Sequence, residues 1–277
     1  MVSVSAWLNP VVKPFKQAIS QKIDEKIRYY TETVPIQEYL PDRDVFIVGY
    51  PKSGNSWFQN LMAGLVYGVN PAQAPDTIVQ DLVPDVHYKR YYRRYSTPMF
   101  FKSHFPPQPN YRKVVYLLRD GRDAMVSYYR FLQVLRKRRN ESVDFLHMIK
   151  TGEGLFQNRK WHTHVEAWLD NPYQSEIIKI RYEDMLERPV EEMERLCQFL
   201  DFEASREVLE QVVAGASFQS LRRKEEQFGL NNPGWPKGEF FNRRGKSGAY
   251  KDEMPPEVLA AFMEEAGETL QKMGYEI

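Results

Sequence analysis

An apolar, β-branched run, Val45-Phe46-Ile47-Val48, passes directly into Gly49-Tyr50-Pro51-Lys52-Ser53-Gly54-Asn55-Ser56-Trp57. Trp57, Leu61 and Leu65 then recur at helical spacing, with Phe58, Met62 and Val66 beside them. Strand, glycine-bounded loop and helix in that order form the layout of a phosphate-binding loop. Gly49 and Gly54 bracket four residues, and Ser56 holds the hydroxyl position of a Walker loop. Asn55 stands where that loop has its lysine, and Lys52 lies inside the loop instead. Backbone N–H groups and a helix N-terminus can still cradle a phosphate here. The usual arrangement of lysine and metal ligand is altered.

The same alternation continues along the chain. Met99-Phe100-Phe101 runs into Lys102-Ser103-His104, and Val114–Leu118 ends at Arg119-Asp120-Gly121-Arg122-Asp123. A helical pattern with Met125, Val126, Tyr129 and Leu132 follows. Ile177–Ile180 ends at Arg181-Tyr182-Glu183-Asp184, and Pro189 opens a helix with Val190, Met193, Leu196, Cys197 and Leu200 on one face. Helical patterns also cover about 204–214 and 256–273, whereas Gly68 to Pro84, with three prolines, reads as irregular. Near-continuous apolar strands separated by helices predict an α/β, P-loop-containing three-layer fold with a mostly parallel central sheet flanked by helices. Residues 42–277 are expected to form this domain. Residues 1–41 are expected to form an N-terminal helical extension packed on it, with Phe15, Ile19, Ile23 and Ile27 on one face. In such sheets ligands bind beyond the carboxyl ends of the strands. Lys52, Lys102, His104, Arg119 and Tyr182 all cluster at those ends.

A net charge of +1 over 277 residues gives no global pull toward nucleic acid or anionic membranes, so an anion site must be local. No apolar run approaches the roughly 18 residues of a membrane span. One cysteine, Cys197, permits no intrachain disulfide and suits a reducing, cytoplasmic setting. The stretch His87 to Tyr95 interleaves aromatic and basic residues; it suits a covered loop, an acceptor pocket or a single-stranded nucleic-acid contact. His162 and His164 lie two apart in a helix-like stretch and do not share a face, which argues against a metal pair. Gln227 to Lys251 is the longest irregular stretch and ends in the basic string Arg243-Arg244-Gly245-Lys246. A long basic loop in a compact domain is usually functional.

Taken together, the chain resembles the sulfotransferases that use 3′-phosphoadenosine-5′-phosphosulfate (PAPS), in particular the soluble small-molecule enzymes. Tyr50 to Trp57 looks like their 5′-phosphosulfate loop and Lys102-Ser103-His104 like their catalytic histidine segment. Arg119 through Ser127 resembles the 3′-phosphate motif, and Arg181-Tyr182-Glu183-Asp184 the Tyr-Glu-Asp strand end. Ser217-Phe218 is similar to the adenine-side pair, and Arg243-Arg244-Gly245 to the C-terminal phosphate loop. The resemblance implies a donor site formed by Lys52, Ser53, Gly54, Asn55, Ser56, Trp57, Arg119, Ser127, Tyr182, Ser217, Phe218, Arg243, Arg244 and Gly245. It implies His104 as general base, with Lys52 and Lys102 as catalytic cations. It implies no metal and a small-molecule acceptor such as an alcohol, phenol, amine, or lipid or glycan hydroxyl. The family's dimer motif is not evident in 223–242, so a monomer or weak dimer is expected.

The chemistry fits these residue types. By analogy with phosphoryl transfer, sulfuryl transfer is expected to pass through a loose, in-line transition state whose charge grows on the leaving oxygen. Lys52 suits that charge, and a histidine near its ordinary pKa suits proton removal. Two other classes remain: a P-loop kinase or NTPase, which needs a lysine at position 55 and an acidic metal partner, and a non-catalytic nucleotide-binding or nucleic-acid module.

Overall fold

The computed structural model describes residues 22–26, 28, 31–137, 141–230, 235, 236 and 238–277. In chain order its elements begin with β1 (Val34–Pro35), β2 (Val45–Gly49), α1 (Asn55–Tyr67), α2 (Asp76–Leu82) and β3 (Tyr91–Tyr92). Next come β4 (Phe100–Ser103), β5 (Lys113–Leu118), α3 (Gly121–Lys137), α4 (Phe145–Thr151) and α5 (Trp161–Asp170). The chain continues with β6 (Glu176–Arg181), α6 (Tyr182–Glu187), α7 (Pro189–Leu200) and α8 (Arg206–Gly215). It closes with α9 (Phe218–Phe228), α10 (Tyr250–Glu253) and α11 (Pro256–Lys272).

The main sheet has four parallel strands in the order β4-β2-β5-β6. Alternate residues of β2 serve opposite cores, because successive side chains of a strand point to opposite faces. Phe46 and Val48 join one cluster with Tyr116, Met125, Trp161 and Phe262. Val45 and Ile47 join the other with Leu61, Val115, Ile180 and Leu196. Helices therefore cover both faces, giving the three layers expected, and each fully buried aliphatic or aromatic side chain contributes roughly 1.5–3 kcal/mol. The chain moves from β2 to β4 on one side and to β5 on the other. The strand order thus reverses beside β2, which opens a crevice at its carboxyl end.

Two expectations are corrected. Gly68 to Pro84 is not wholly irregular, because Pro75 stands at the N-cap of α2 and leaves Asp76–Leu82 free to coil. The irregular stretch after position 227 is also shorter than expected. Helix α9 runs to Phe228 with Ser217 as its N-cap, and α10 begins at Tyr250. Of the apolar N-terminal pattern, Phe15, Ile19 and Ile27 lie outside the described residues, and Ile23 is 43% exposed. The described part of that extension meets the domain through polar groups instead: Asp24 accepts from Tyr91 Oη and Arg90. The Tyr91–Tyr92 pair of the aromatic-basic stretch forms β3, antiparallel to β1, and Arg94 grips the buried carboxylate of Asp44 at 2.8 Å.

Candidate functional site

Each of four strands delivers one or two functional side chains to the same edge. Lys52 follows β2, His104 is the residue after β4, Arg119 the residue after β5, and Tyr182 the residue after β6. All four line one cavity of about 610 Å³, together with Ser56, Trp57, Lys102, Ser127, Phe218, Arg243, Arg244 and Gly245. Tyr88, Tyr128, Phe131, Phe156 and Phe241 supply its aromatic wall.

The loop after β2 is held tightly. Lys52 adopts φ +72° and Gly54 φ +95°. A left-handed lysine is unfavourable and persists where its surroundings fix it. At Gly54 an added Cβ would also lie 2.8 Å from the Tyr182 ring. Asn55 closes the loop from within. Its amide nitrogen donates to the Tyr50 carbonyl (3.2 Å) and its oxygen accepts from Gly49 N–H (3.1 Å), so the side chain ties the two ends of the loop together. Asn55 therefore does not replace the Walker lysine, and the kinase arrangement is lost. Ser53 helps to build the loop: its N–H donates to the Tyr50 carbonyl (3.1 Å), and its buried hydroxyl has no partner among the described residues.

Lys52 Nζ lies 3.7 Å from the centre of the Phe241 ring and 4.7 Å from that of Phe131. Burial, and then the charges of Arg119, Lys102 and Arg243, lower its pKa to about 7. A bound anion would raise it again. Binding of a phosphorylated nucleotide is therefore expected to take up a proton above pH 7. Affinity should fall by up to about tenfold per pH unit between the free and bound pKa values. Calorimetric titration in buffers of different ionisation enthalpy measures this uptake, and Lys52→Arg should abolish it because arginine stays protonated. Uptake unchanged in the variant would exclude Lys52 as its source.

Lys102 is buried between the Asp85 carboxylate (2.8 Å) and Ser56 Oγ (3.4 Å). Burial alone would lift the Asp85 pKa, but Lys102 and His104 hold it below its ordinary value. His104 Nδ1 lies 2.7 Å from the Gly49 carbonyl. A carbonyl can only accept, so Nδ1 carries the proton and Nε2 keeps a free lone pair. Burial, reinforced by the Lys102 charge, pushes the His104 pKa far below its ordinary value, so the ring is neutral at pH 7.

Arg119 packs its guanidinium 4.3 Å from the centre of the Tyr182 ring and donates to the Lys52 carbonyl (2.9 Å). Its buried Nε has no hydrogen-bond partner, and Asp123 is 3.9 Å away. Asp123 instead accepts from the N–H groups of Gly248 (2.7 Å) and Tyr250 (2.9 Å), pinning the C-terminal loop over the cavity. Glu225 pins the same loop further back by accepting from Phe241 N–H (2.5 Å) and Asn242 N–H (3.0 Å). Glu253 gathers Arg130 (3.1 Å), Arg243 (2.7 Å) and Arg244. Burial would raise the Glu253 pKa, yet the arginines keep it low. Gly245 sits on Phe218, where an added Cβ would come within 2.4 Å of the ring. Ser127 and Phe131, four residues apart on α3, share the face toward the cavity. Ser217 does not reach it. Its hydroxyl caps α9 through Ser220 N–H (3.3 Å).

Sequence reasoning missed Asp85, His87, Asp123, Glu225 and Glu253, all of which orient the predicted residues. Asp123 carried a signal, as the last residue of a polar string at a strand end. His87 opens the aromatic-basic stretch 87–95, whose pattern does not single it out, and Asp85, Glu225 and Glu253 sit in ordinary-looking segments. Among the described residues no group of three His, Cys, Asp or Glu is placed to hold a metal ion. No helix among them is long and apolar enough to cross a membrane.

The chain is similar to known proteins in sequence and in fold. A family model described as a sulfotransferase domain matches residues 42–274. Sulfotransferase 1E1 of Mus musculus is 25% identical over 268 residues, covering 87% of this chain and 88% of that protein. Sulfotransferase 1 family member D1 of Mus musculus is 27% identical, covering 82% and 83%. In fold the chain is similar to retinol dehydratase in complex with androsterone and inactive cofactor PAP, with TM-score 0.65, 21% identity, and 84% and 82% coverage. It is also similar to mouse sulfotransferase SULT7A1 complexed with PAP, with TM-score 0.62, 18% identity, and 83% and 86% coverage. With a matched family model across almost the whole described domain, the chain belongs to the PAPS-dependent sulfotransferase family.

Proposed function

We propose that the protein moves a sulfuryl group from PAPS to a hydroxyl or amine of a small-molecule acceptor, in line, with His104 as general base. The observation that carries this reading is the hydrogen bond from His104 Nδ1 to the carbonyl of Gly49, the first residue of the phosphate loop. It ties base and loop into one unit and leaves Nε2 free.

When bound, the donor supplies a sulfuryl group activated by a phosphate leaving group. The residues present fit such a group. The N–H groups at the start of α1 and the Lys52 ammonium suit the 5′ end. Arg119, whose Nε lacks a partner, suits the 3′-phosphate, with Ser127, Arg243, Arg244 and Gly245. Trp57, Tyr182 and Phe218 suit a flat base between them. His104 Nε2 takes the acceptor's proton as the new O–S bond forms. Lys52 and Lys102 meet the charge growing on the leaving oxygen as the old bond breaks, in a site where such charge is worth far more than in water.

The acceptor would enter past Tyr88, Tyr128 and Phe156, an aromatic wall suited to a small, partly apolar alcohol or phenol. Two solved structures of similar fold hold androsterone or retinol, which supports that class. We further propose a cytoplasmic monomer or weak dimer, on the strength of the single cysteine and the absence of the family's dimer motif. Incubation of the protein with sulfur-labelled PAPS, EDTA and a panel of alcohols, phenols and amines tests the reading. Label should pass to at least one acceptor. No transfer, together with magnesium-dependent turnover of ATP, would overturn it.

A further inference from the structure

Strand β4 ends at Ser103, so the backbone N–H of His104 has left the ladder and needs another partner. The partner is a side chain. His87 Nε2 accepts that N–H at 2.8 Å, and the two imidazoles stack 5.4 Å apart with planes 9° from parallel. A backbone N–H can only donate, so His87 Nε2 is unprotonated and its proton is on Nδ1. Burial and the Lys102 charge favour this neutral ring against the pull of Asp85.

His87 is itself set in place by the chain around it. The segment 84–87 runs along the outer edge of β4, with Lys102 N–H donating to the Pro84 carbonyl (2.9 Å) and Val86 N–H to the Lys102 carbonyl (3.0 Å). Asp85 accepts from His87 N–H (2.9 Å) with one carboxylate oxygen and pairs with Lys102 Nζ (2.8 Å) through the other. One short strap thus reaches both residues between which the reaction is expected to run.

We propose that His87 is a positioning residue for the reaction. By accepting the His104 backbone N–H and stacking on its ring, it fixes the rotamer in which His104 Nδ1 meets the Gly49 carbonyl and Nε2 faces the cavity. The inference rests on His104 as general base. It extends the site by one residue, at the head of the aromatic-basic stretch 87–95. Histidine supplies an acceptor at the Nε2 position together with a flat ring to stack; of these, the acceptor is the contact that a side chain of matching reach can replace. Misplacing a reacting group by an ångström can cost about a hundredfold in rate.

The test compares His87→Ala, His87→Gln and His87→Asn with His104→Ala in the same assay. A glutamine oxygen reaches the place of the histidine Nε2, whereas the asparagine amide reaches only that of Nδ1. His87→Ala should lower kcat by about ten- to a hundredfold while affinity for 3′-phosphoadenosine 5′-phosphate stays unchanged. His87→Gln should recover much of kcat, and His87→Asn should not. Equal kcat for the glutamine and asparagine variants would overturn the proposal, as would an unchanged kcat in the alanine variant. Should His87→Ala fail to fold, the glutamine–asparagine comparison still decides. Normal turnover in His104→Ala would remove the base on which the proposal rests. Loss in that variant with no loss in the His87 series would remove the positioning role alone.

Discussion

Replacing His104 with alanine is expected to lower turnover by about 10²-fold or more while leaving binding of 3′-phosphoadenosine 5′-phosphate near normal. The expectation follows from the tautomer. Nδ1 is committed to the Gly49 carbonyl at 2.7 Å, so Nε2 is the ring's one basic atom, and His104 lines the cavity. Lys102, two residues earlier, is turned to the Asp85 carboxylate at 2.8 Å. The alanine variant also loses the bond to Gly49, so nucleotide affinity must be measured beside kcat. A fall in affinity alone would mean that His104 shapes the loop and takes no part in proton transfer. Near-normal turnover would remove it from the mechanism altogether.

Arg119→Ala should weaken 3′-phosphoadenosine 5′-phosphate by about ten- to a hundredfold, the scale of one lost charged hydrogen bond at roughly 1.5–3 kcal/mol. Arg119 also supports the Lys52 carbonyl at 2.9 Å, so a simple loss of affinity would not separate phosphate recognition from loop support. The comparison with AMP does. The intact protein should prefer the bisphosphate strongly, because AMP lacks the second phosphate. In Arg119→Ala that preference should shrink toward unity while AMP affinity changes less. Titrations of both ligands against both proteins supply the four numbers needed. Equal affinity of the intact protein for the two ligands would mean that no residue here reads a 3′-phosphate.

Much of the fold was legible because its determinants are local. The two-sided apolar runs at 45–48 and 114–118 can be satisfied only inside a covered sheet and became its interior strands, while 177–180 became the parallel edge strand β6 with Lys179 exposed. The residues at their carboxyl ends then had to share one edge. Helix α2 was obscured by the prolines around it, and α9 by the few apolar residues between Phe218 and Phe228. Ser217 illustrates the limit of motif reading. The residue was found, but its hydroxyl does local work as a helix cap. The residues that orient the site were not legible for a different reason. Asp123, Glu225 and Glu253 act on backbone N–H groups and arginines in other segments, and no sequence spacing announces such a pairing. The role of His87 depends on the place where β4 stops, which is a property of the ladder and leaves no mark in the residues near position 87.

The site's two halves are built on ground of unequal firmness. The phosphate loop springs from β2, an interior strand bonded on both sides, whose residues Phe46 to Val48 are wholly buried. The cap that carries Phe241 to Gly248 is held by the carboxylates of Asp123, Glu225 and Glu253 and by the packing of Phe241 on Phe131 and of Gly245 on Phe218. Opening the first half requires disassembly of the sheet, at a cost near the full unfolding free energy; opening the second requires only that these fewer contacts let go. A nucleotide held at both phosphates would join these two units across the crevice. Its binding energy would then be divided unequally, with most of the gain in rigidity going to the cap and little to the strand beneath the loop.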